Sequence, residues 1–481
     1  MGSFLAFRSY GGKGTIVNCF KTGLELVRNK YNGASRRKKA RIVGVSTAGD
    51  GDSTVEQIPA ERGKALLRRL DWWLGVPLLY LIALFRTKKG RFGSQIHSGL
   101  AVDSATAASD EVVIKSIGVC VFAAIGDALL AAAILADLKQ YRNKIQAKTG
   151  ERISVTIFST PANAEIFKLI SNFDRLVLIP ITSPWHALQT MRESIAQFPV
   201  DVLIDTSQWS KIGAILCALS GAKLTVGFNT PGQYRQFAYD VVVPHSRSVH
   251  EIDNFRALLR PLNISTGAMP QLNLISIDQV PQPPITKPYI VLHPWASGTK
   301  FAMREWPLNS WLELGKRLVS AGYAIVITGG PDDKKRAADL VQKLNTSLAS
   351  ANLLVRNTSN LDDPLAGVSI ISVAGSANWL ETARLINQAE AVVAVNTGTM
   401  HLAAILGRPL VALHGPTNPA RWGPLTSGTA IPVILGLGLS EGGAYLHLGS
   451  EYPKEPVYLM DQISPDAVIG ALKSNFGLQI S

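Results

Sequence analysis

The stretch "AVVAVNTGTMHLAA" (residues 391–404) decides the fold. Val392, Val393 and Val395 are β-branched and no charge interrupts them, which predicts a buried strand. Met400, His401, Leu402, Ala403 and Ala404 then read as a helix that stops at Gly407 and Pro409. Between the two lies a small polar turn, Asn396-Thr397-Gly398-Thr399. Free N–H groups and the positive end of the helix dipole both point into such a turn, which suits an anion.

The same strand–turn–helix pattern extends outward in both directions. The sequence predicts strands at "IGVCVF" (117–122), "SVTIFS" (154–159), "RLVLIP" (175–180), "DVLIDT" (201–206) and "KLTVGF" (223–228). After the Pro-rich segment "VPQPPITKP" (280–288) come "YIVLHP", "AIVITGG", "SIISVAG", "AVVAVN" and "LVALHG". Runs of Val, Ile and Leu separated by helical stretches imply parallel sheets covered on both faces. The expected fold class is therefore α/β, with two doubly wound domains at 111–280 and 281–481 facing a cleft.

Charge sets the N-terminal region apart. The chain of 481 residues carries a net charge of +13, yet residues 1–110 alone hold 18 Lys and Arg against 8 Asp and Glu. The body is thus close to neutral, which argues against a nucleic-acid-binding body and for a basic arm that meets an anionic surface. Residues 1–60, with the run "SRRKKAR" (35–41), are expected to be poorly ordered. Within 61–110, the uncharged segment Trp72 to Phe85 spans 14 residues, short of the roughly 20 needed to cross a bilayer. Basic residues flank it, and Trp72, Trp73 and Tyr80 suit a lipid–water interface. The expectation is an amphipathic helix lying on a membrane surface; a helix packed on the protein body and a short spanning or signal segment are the alternatives. Cys19, Cys120 and Cys217 are odd in number and far apart, which suits a reducing compartment and gives no metal or disulfide framework.

Several turns could carry chemistry. Asp127 follows the first strand at the start of a helix, as an N-cap or as a carboxylate at the ligand-binding edge of the sheet. Ser297, Gly298 and Thr299, with Lys300 and Arg304, form a donor-rich loop suited to phosphate oxygens, or an ordinary solvated loop. Asp333 in "TGGPDDKKRA" could accept from a ribose or base, or serve as a helix N-terminal acid. His401, in the first turn of its helix, is a structural hydrogen-bonding group or a donor to an anion with a pH-dependent charge. The segment "LHGPTNPARWGPL" (413–425) is rigid enough to shape a wall of the cleft.

In this order, "GD" after the first strand, "HPWAS…REWP", "TGGPDD" and "NTGTMHLAAILGRPLVALHGPTNPARWGP" resemble glycosyltransferase family 9, the ADP-heptose:lipopolysaccharide heptosyltransferases, over residues 112 to 475. The resemblance implies a GT-B-type fold of two Rossmann-like domains, with acceptor bound mainly by the first and nucleotide sugar by the second. It implies an inverting transfer with no metal, and no cofactor beyond a nucleotide-sugar donor, ADP-linked in this family. Asp127 matches the family's catalytic base, and Thr397 and Gly398 match its backbone donors to the diphosphate. Ser297 falls in the hydroxyl-bearing loop, Lys300 and Arg304 add positive charge, and Arg304 takes a position where the family commonly has Lys. His401 matches the motif histidine, and Asp333 sits where the family usually has Glu. Asn396 departs from the family's Asp, which bears on the identity of the donor.

The expected function is transfer of heptose or a related sugar to a lipopolysaccharide-core or other lipid-linked acceptor. The expected place is the cytoplasmic side, peripheral on the inner face of the membrane, with an anionic membrane surface as partner and no nucleic acid. A catalytically weak nucleotide-sugar-binding scaffold of envelope assembly is the alternative, and a GT-B-like hydrolase or epimerase a third.

Overall fold

The computed structural model describes residues 65–85, 114–281, 285–298, 301–348, 354–357, 368–425, 430–436 and 459–480. The basic extension, the linker that follows the first helix, Thr299 and Lys300 lie outside the described residues.

The N-terminal half holds β1 (Ser116–Val121), β2 (Ser154–Ser159), β3 (Arg175–Leu178), β4 (Val202–Asp205), β5 (Leu224–Asn229) and β6 (Val241–Pro244). They form one sheet in the order β3-β2-β1-β4-β5-β6, every pairing parallel. The C-terminal half holds β7 (Tyr289–His293), β8 (Ala324–Ile327), β9 (Leu354–Asn357), β10 (Val368–Ser372), β11 (Ala391–Val395), β12 (Leu410–Leu413) and β13 (Val433–Leu435). Their order is β13-β12-β11-β7-β8-β10-β9, again all parallel. The central strands are buried along their whole length, as near-continuous Val, Ile and Leu require.

Each sheet has a switch point beside its first strand, between β1 and β4 and between β7 and β11, where the chain crosses to build the other side of the sheet. Open parallel sheets bind ligands beyond the carboxyl ends of the strands flanking such a point. The turns after those four strands carry Asp127, Gln208, Ser297 and Asn396 through Gly398.

Among the described helices are α1 (Ala65–Phe85), α2 (Ile125–Thr149), α3 (Pro184–Gln197), α4 (Lys211–Leu219), α5 (Glu251–Ala257), α6 (Leu308–Ser320), α7 (Lys334–Leu348), α8 (Trp379–Gln388), α9 (Gly398–Ile405), α10 (Pro419–Trp422) and α11 (Pro465–Phe476). The run 117–138, apolar enough to suggest a membrane span, resolves into strand, turn and helix. Leu129 and Leu130 of α2 share one contiguous core with Met400, Leu402 and Ala403 of α9, so apolar packing joins the halves.

Helix α1 packs on the protein body. Gly75, Leu79 and Ile82 face inward, three and four residues apart, as one helix face requires. At Gly75 an added Cβ would lie 2.5 Å from Lys211 Cβ, so only glycine permits this approach. The Asp71 carboxylate accepts from the N–H groups of Lys211 and Ile212, both at 3.0 Å, capping α4. Lys211 Nζ stands 4.4 Å over the Trp72 ring. The opposite face is apolar and open to solvent, with Trp73, Leu74 and Phe85 54%, 67% and 83% exposed. No helix among the described residues is long and apolar enough to cross a membrane.

Candidate active site

Asp127 occupies the first turn of α2, half-buried. Its Oδ2 accepts from the Ala124 N–H at 3.2 Å, so it does cap its helix. Burial raises its pKa to about 7, the nearby Glu251 charge adds to the rise, and a hydrogen bond from Gln208 opposes it. A carboxylate that titrates near neutrality is matched to accepting a proton there.

The loop bearing Gln208 is pinned from below. Thr206 Oγ1 donates to the Cys120 carbonyl at 2.8 Å, and Ser207 N–H to Asp205 Oδ1 at 2.9 Å. Arg235, fully buried, donates to Asp205 at 2.6 Å and also to the Ser207 carbonyl. Tyr239 completes the set, its hydroxyl 2.7 Å from Asp205. Buried charges persist when paired and hydrogen-bonded, as here.

In the C-terminal half, Thr397 stands at the N-cap position of α9 without a side-chain capping bond, and Gly398 opens the helix. His401 is buried, and burial, with His250 and His414 nearby, lowers its pKa to about 3. The ring is therefore neutral near physiological pH and acts through its hydrogen-bonding nitrogens. His401 Nδ1 and Thr397 Oγ1 are buried atoms without a hydrogen-bond partner. Unsatisfied buried polar atoms are rare, and two at one helix start favour a ligand that satisfies them.

Arg304 joins two of the expected loops: it donates to the Asn396 carbonyl at 3.3 Å and to the Ser297 carbonyl. Ser297 itself is exposed. Asp333 is buried, and its Oδ2 accepts from the Gly330 N–H at 2.8 Å, the helix-capping role. The Asn396 carboxamide turns into its own half, its Nδ2 3.2 Å from the Trp422 carbonyl and 3.2 Å from His414 Nδ1. His293 links β7 to this region, 2.8 Å from Thr328 Oγ1 and 3.3 Å from Thr399 Oγ1.

The two turns meet. A Cβ on Gly126 would lie 3.6 Å from His401 Cδ2 and 3.9 Å from Gly398 Cα. One on Gly398 would lie 3.0 Å from Ile125 Cγ2. The Asp127 turn and the start of α9 thus lie within van der Waals contact across the halves, most tightly at Gly398. Within the matched region the glycosyltransferase family 9 (heptosyltransferase) profile runs from residue 190 to 434.

The chain belongs to glycosyltransferase family 9. It is 30% identical over 128 residues to lipooligosaccharide heptosyltransferase 2 of Haemophilus influenzae, covering 27% of this chain and 32% of that protein. With lipopolysaccharide heptosyltransferase 1 of Pseudomonas aeruginosa it is 32% identical over 170 residues, 35% of this chain and 36% of that one. The matched segments span about a third of these relatives' length. The solved ADP-heptose lipopolysaccharide heptosyltransferase II of Escherichia coli superposes with a TM-score of 0.54 at 19% identity, over 75% of this chain and 98% of that one. That likeness establishes the GT-B-like fold.

Sequence reasoning did not find Gln208, His245, Glu251 or the contact that Arg421 makes. Arg421 stood in a quoted motif, but only as part of a wall. The other three sit singly in unremarkable stretches, with no spacing to flag them.

Proposed function

We propose that this family 9 chain is an inverting glycosyltransferase that moves heptose or a related sugar from an ADP-linked donor to a lipopolysaccharide-core or other lipid-linked acceptor. The observation that carries this reading is the meeting of Gly126 and Gly398, which sets a proton-accepting carboxylate beside an unsatisfied helix start.

The acceptor hydroxyl oxygen attacks the anomeric carbon, and the bond from that carbon to the diphosphate oxygen breaks. The electron pair leaves on the diphosphate, the hydroxyl proton passes to Asp127, and the anomeric configuration inverts. Amide groups at the start of α9, His401 Nδ1 in its N–H tautomer, Thr397 Oγ1 and the Arg304 guanidinium stabilise the departing charge. Fixed donors of this kind make a metal unnecessary, so a chelator leaves the rate unchanged.

The acceptor's lipid places the reaction at a membrane. The exposed apolar face of α1, together with the strongly basic sequence that precedes it in the chain, supports peripheral binding to an anionic bilayer on the cytoplasmic side. Asp71 and Trp72 of the same helix contact Lys211, three residues from Gln208, which supports a membrane-bound helix close to the turn proposed to meet the acceptor.

The test is incubation of the full chain with ADP-heptose and a lipopolysaccharide-core acceptor. ADP release that requires acceptor, with a sugar–acceptor product of inverted configuration, is expected. Release without acceptor, or none with either, contradicts the reading.

A further inference from the structure

Glu251 and Arg421 come from opposite halves and form an ion pair closed to water, at 0% and 1% exposure. Such a pair is no more stabilising than apolar residues of the same volume. Its use is therefore to be sought in what it holds.

Glu251 Oε1 accepts from Gln208 Nε2 at 2.6 Å; Gln208 follows β4, the strand paired with β1 that leads to Asp127, and a hydrogen bond from its side chain lowers the Asp127 pKa. Glu251 Oε2 accepts from Asn254 Nδ2 at 3.1 Å and from Arg421. Arg421 also donates to the Val249 carbonyl at 3.2 Å, and its Nη2 lies 2.9 Å from His245 Nε2. His250 Nδ1 accepts from the Ile252 N–H, so its Nε2–H donates to the Gly423 carbonyl at 3.1 Å. Residues 245–251 of one half are thus fastened to residues 421–423 of the other, and Gln208 is fastened to that clasp.

We propose that Glu251 and Arg421 are positioning residues: Arg421, delivered by the C-terminal half, locks Glu251, and Glu251 holds Gln208 so that its amide aims the Asp127 carboxylate at the acceptor hydroxyl. The base is then fully oriented only when the two halves are docked. This inference rests on Asp127 being the base.

The groups that act on the Asp127 charge are the Ala124 N–H of its own turn, Gln208 after β4, Glu251 at the start of α5 and Arg421 on α10. His401 packs at the neighbouring Gly126 and is neutral. Among these the Glu251 charge favours the protonated carboxyl and the Gln208 bond favours the carboxylate. Two substitutions must therefore move Asp127 in opposite directions, which a merely structural role would not do.

The experiment follows the Asp127 carboxyl carbon by NMR across pH in the full chain, assigned by its loss in Asp127→Asn, alongside transfer kinetics. Glu251→Gln lowers the titration midpoint by about one pH unit and Gln208→Leu raises it by about half a unit. Both lower kcat about tenfold or more while the donor KM stays within about twofold. Glu251→Gln removes the charge opposite buried Arg421; if it fails to fold, Glu251→Gln/Arg421→Met, which removes both charges, carries a smaller downward shift, because the Arg421 charge itself lowers the Asp127 pKa. Identical Asp127 midpoints in the folded variants, or unchanged kcat, overturn the positioning role while leaving sugar transfer standing. A wild-type chain that transfers no sugar defeats the transfer reading, and the positioning role with it; normal wild-type transfer with unshifted midpoints defeats the positioning role alone.

Discussion

Gly126 and Gly398 face each other across the two halves, with 3.9 Å between the position of an added Cβ on the first and the Cα of the second. Everything proposed for the reaction follows from that approach. It sets the turn holding Asp127 against the helix start where Thr397 and His401 leave polar atoms unsatisfied.

Asp127→Asn should abolish turnover, by a factor on the order of 10² to 10⁴, with donor affinity nearly unchanged. The wild-type rate should rise with pH through about 7, because the carboxyl must be ionised to accept a proton. Stability runs the other way. The folded-state pKa is raised from 3.8 to about 7, so the folded chain binds the proton more tightly and loses stability as pH rises across that window. Asn has no charge to desolvate, so the variant should melt higher than wild type at pH 8, by at most about 4 kcal/mol, with the gap closing toward pH 4. Calorimetry across pH checks the sign.

Thr397→Val should leave the melting temperature of the unliganded chain nearly unchanged, since Thr397 Oγ1 has no partner to lose. ADP binding should weaken by about 1 kcal/mol, roughly fivefold, if that hydroxyl meets the diphosphate. Titration calorimetry separates the two; equal affinity would remove Thr397 from the site.

Asn396→Asp restores the acid typical of the family but should cost stability near neutral pH. The new carboxylate would face the Trp422 carbonyl where Nδ2 now donates. His414, whose pKa burial lowers to about 4, is its available partner. The carboxylate raises that pKa, so the variant's stability is regained below the raised value and lost as pH climbs through it. Thermal melts at pH 5 and pH 8 check this: a deficit of about 1–3 kcal/mol at pH 8 that shrinks at pH 5 is expected.

The interior of the fold was legible and its margins were not. Every central strand announced itself by Val, Ile and Leu. The strands at 241–244, 354–357 and 433–435 went unread; they are edge strands of three or four residues, too short to display a period. The halves of the site differed in the same way. The turn at 396–398 is one contiguous stretch, whereas Glu251, Gln208 and Arg421 meet only through tertiary packing. For α1, composition pointed to a membrane surface, and the structure adds a second fact: Leu79 and Ile82 are buried on the body while Trp73 and Leu74 face outward.

Trp73→Glu/Leu74→Glu should abolish binding to vesicles containing anionic lipid and leave the melting temperature nearly unchanged, because both side chains are exposed. Sedimentation with phosphatidylglycerol vesicles checks it. Unaltered cosedimentation of the variant would show that this face does not carry the interaction.

The most direct measurement is a crystal structure of the full chain with ADP. The β-phosphate oxygens should lie on the amide groups that open α9 and on His401 Nδ1, at about 2.7–3.2 Å, on the side that faces Asp127. Phosphates bound elsewhere, or separated from Asp127 by protein atoms, would contradict it.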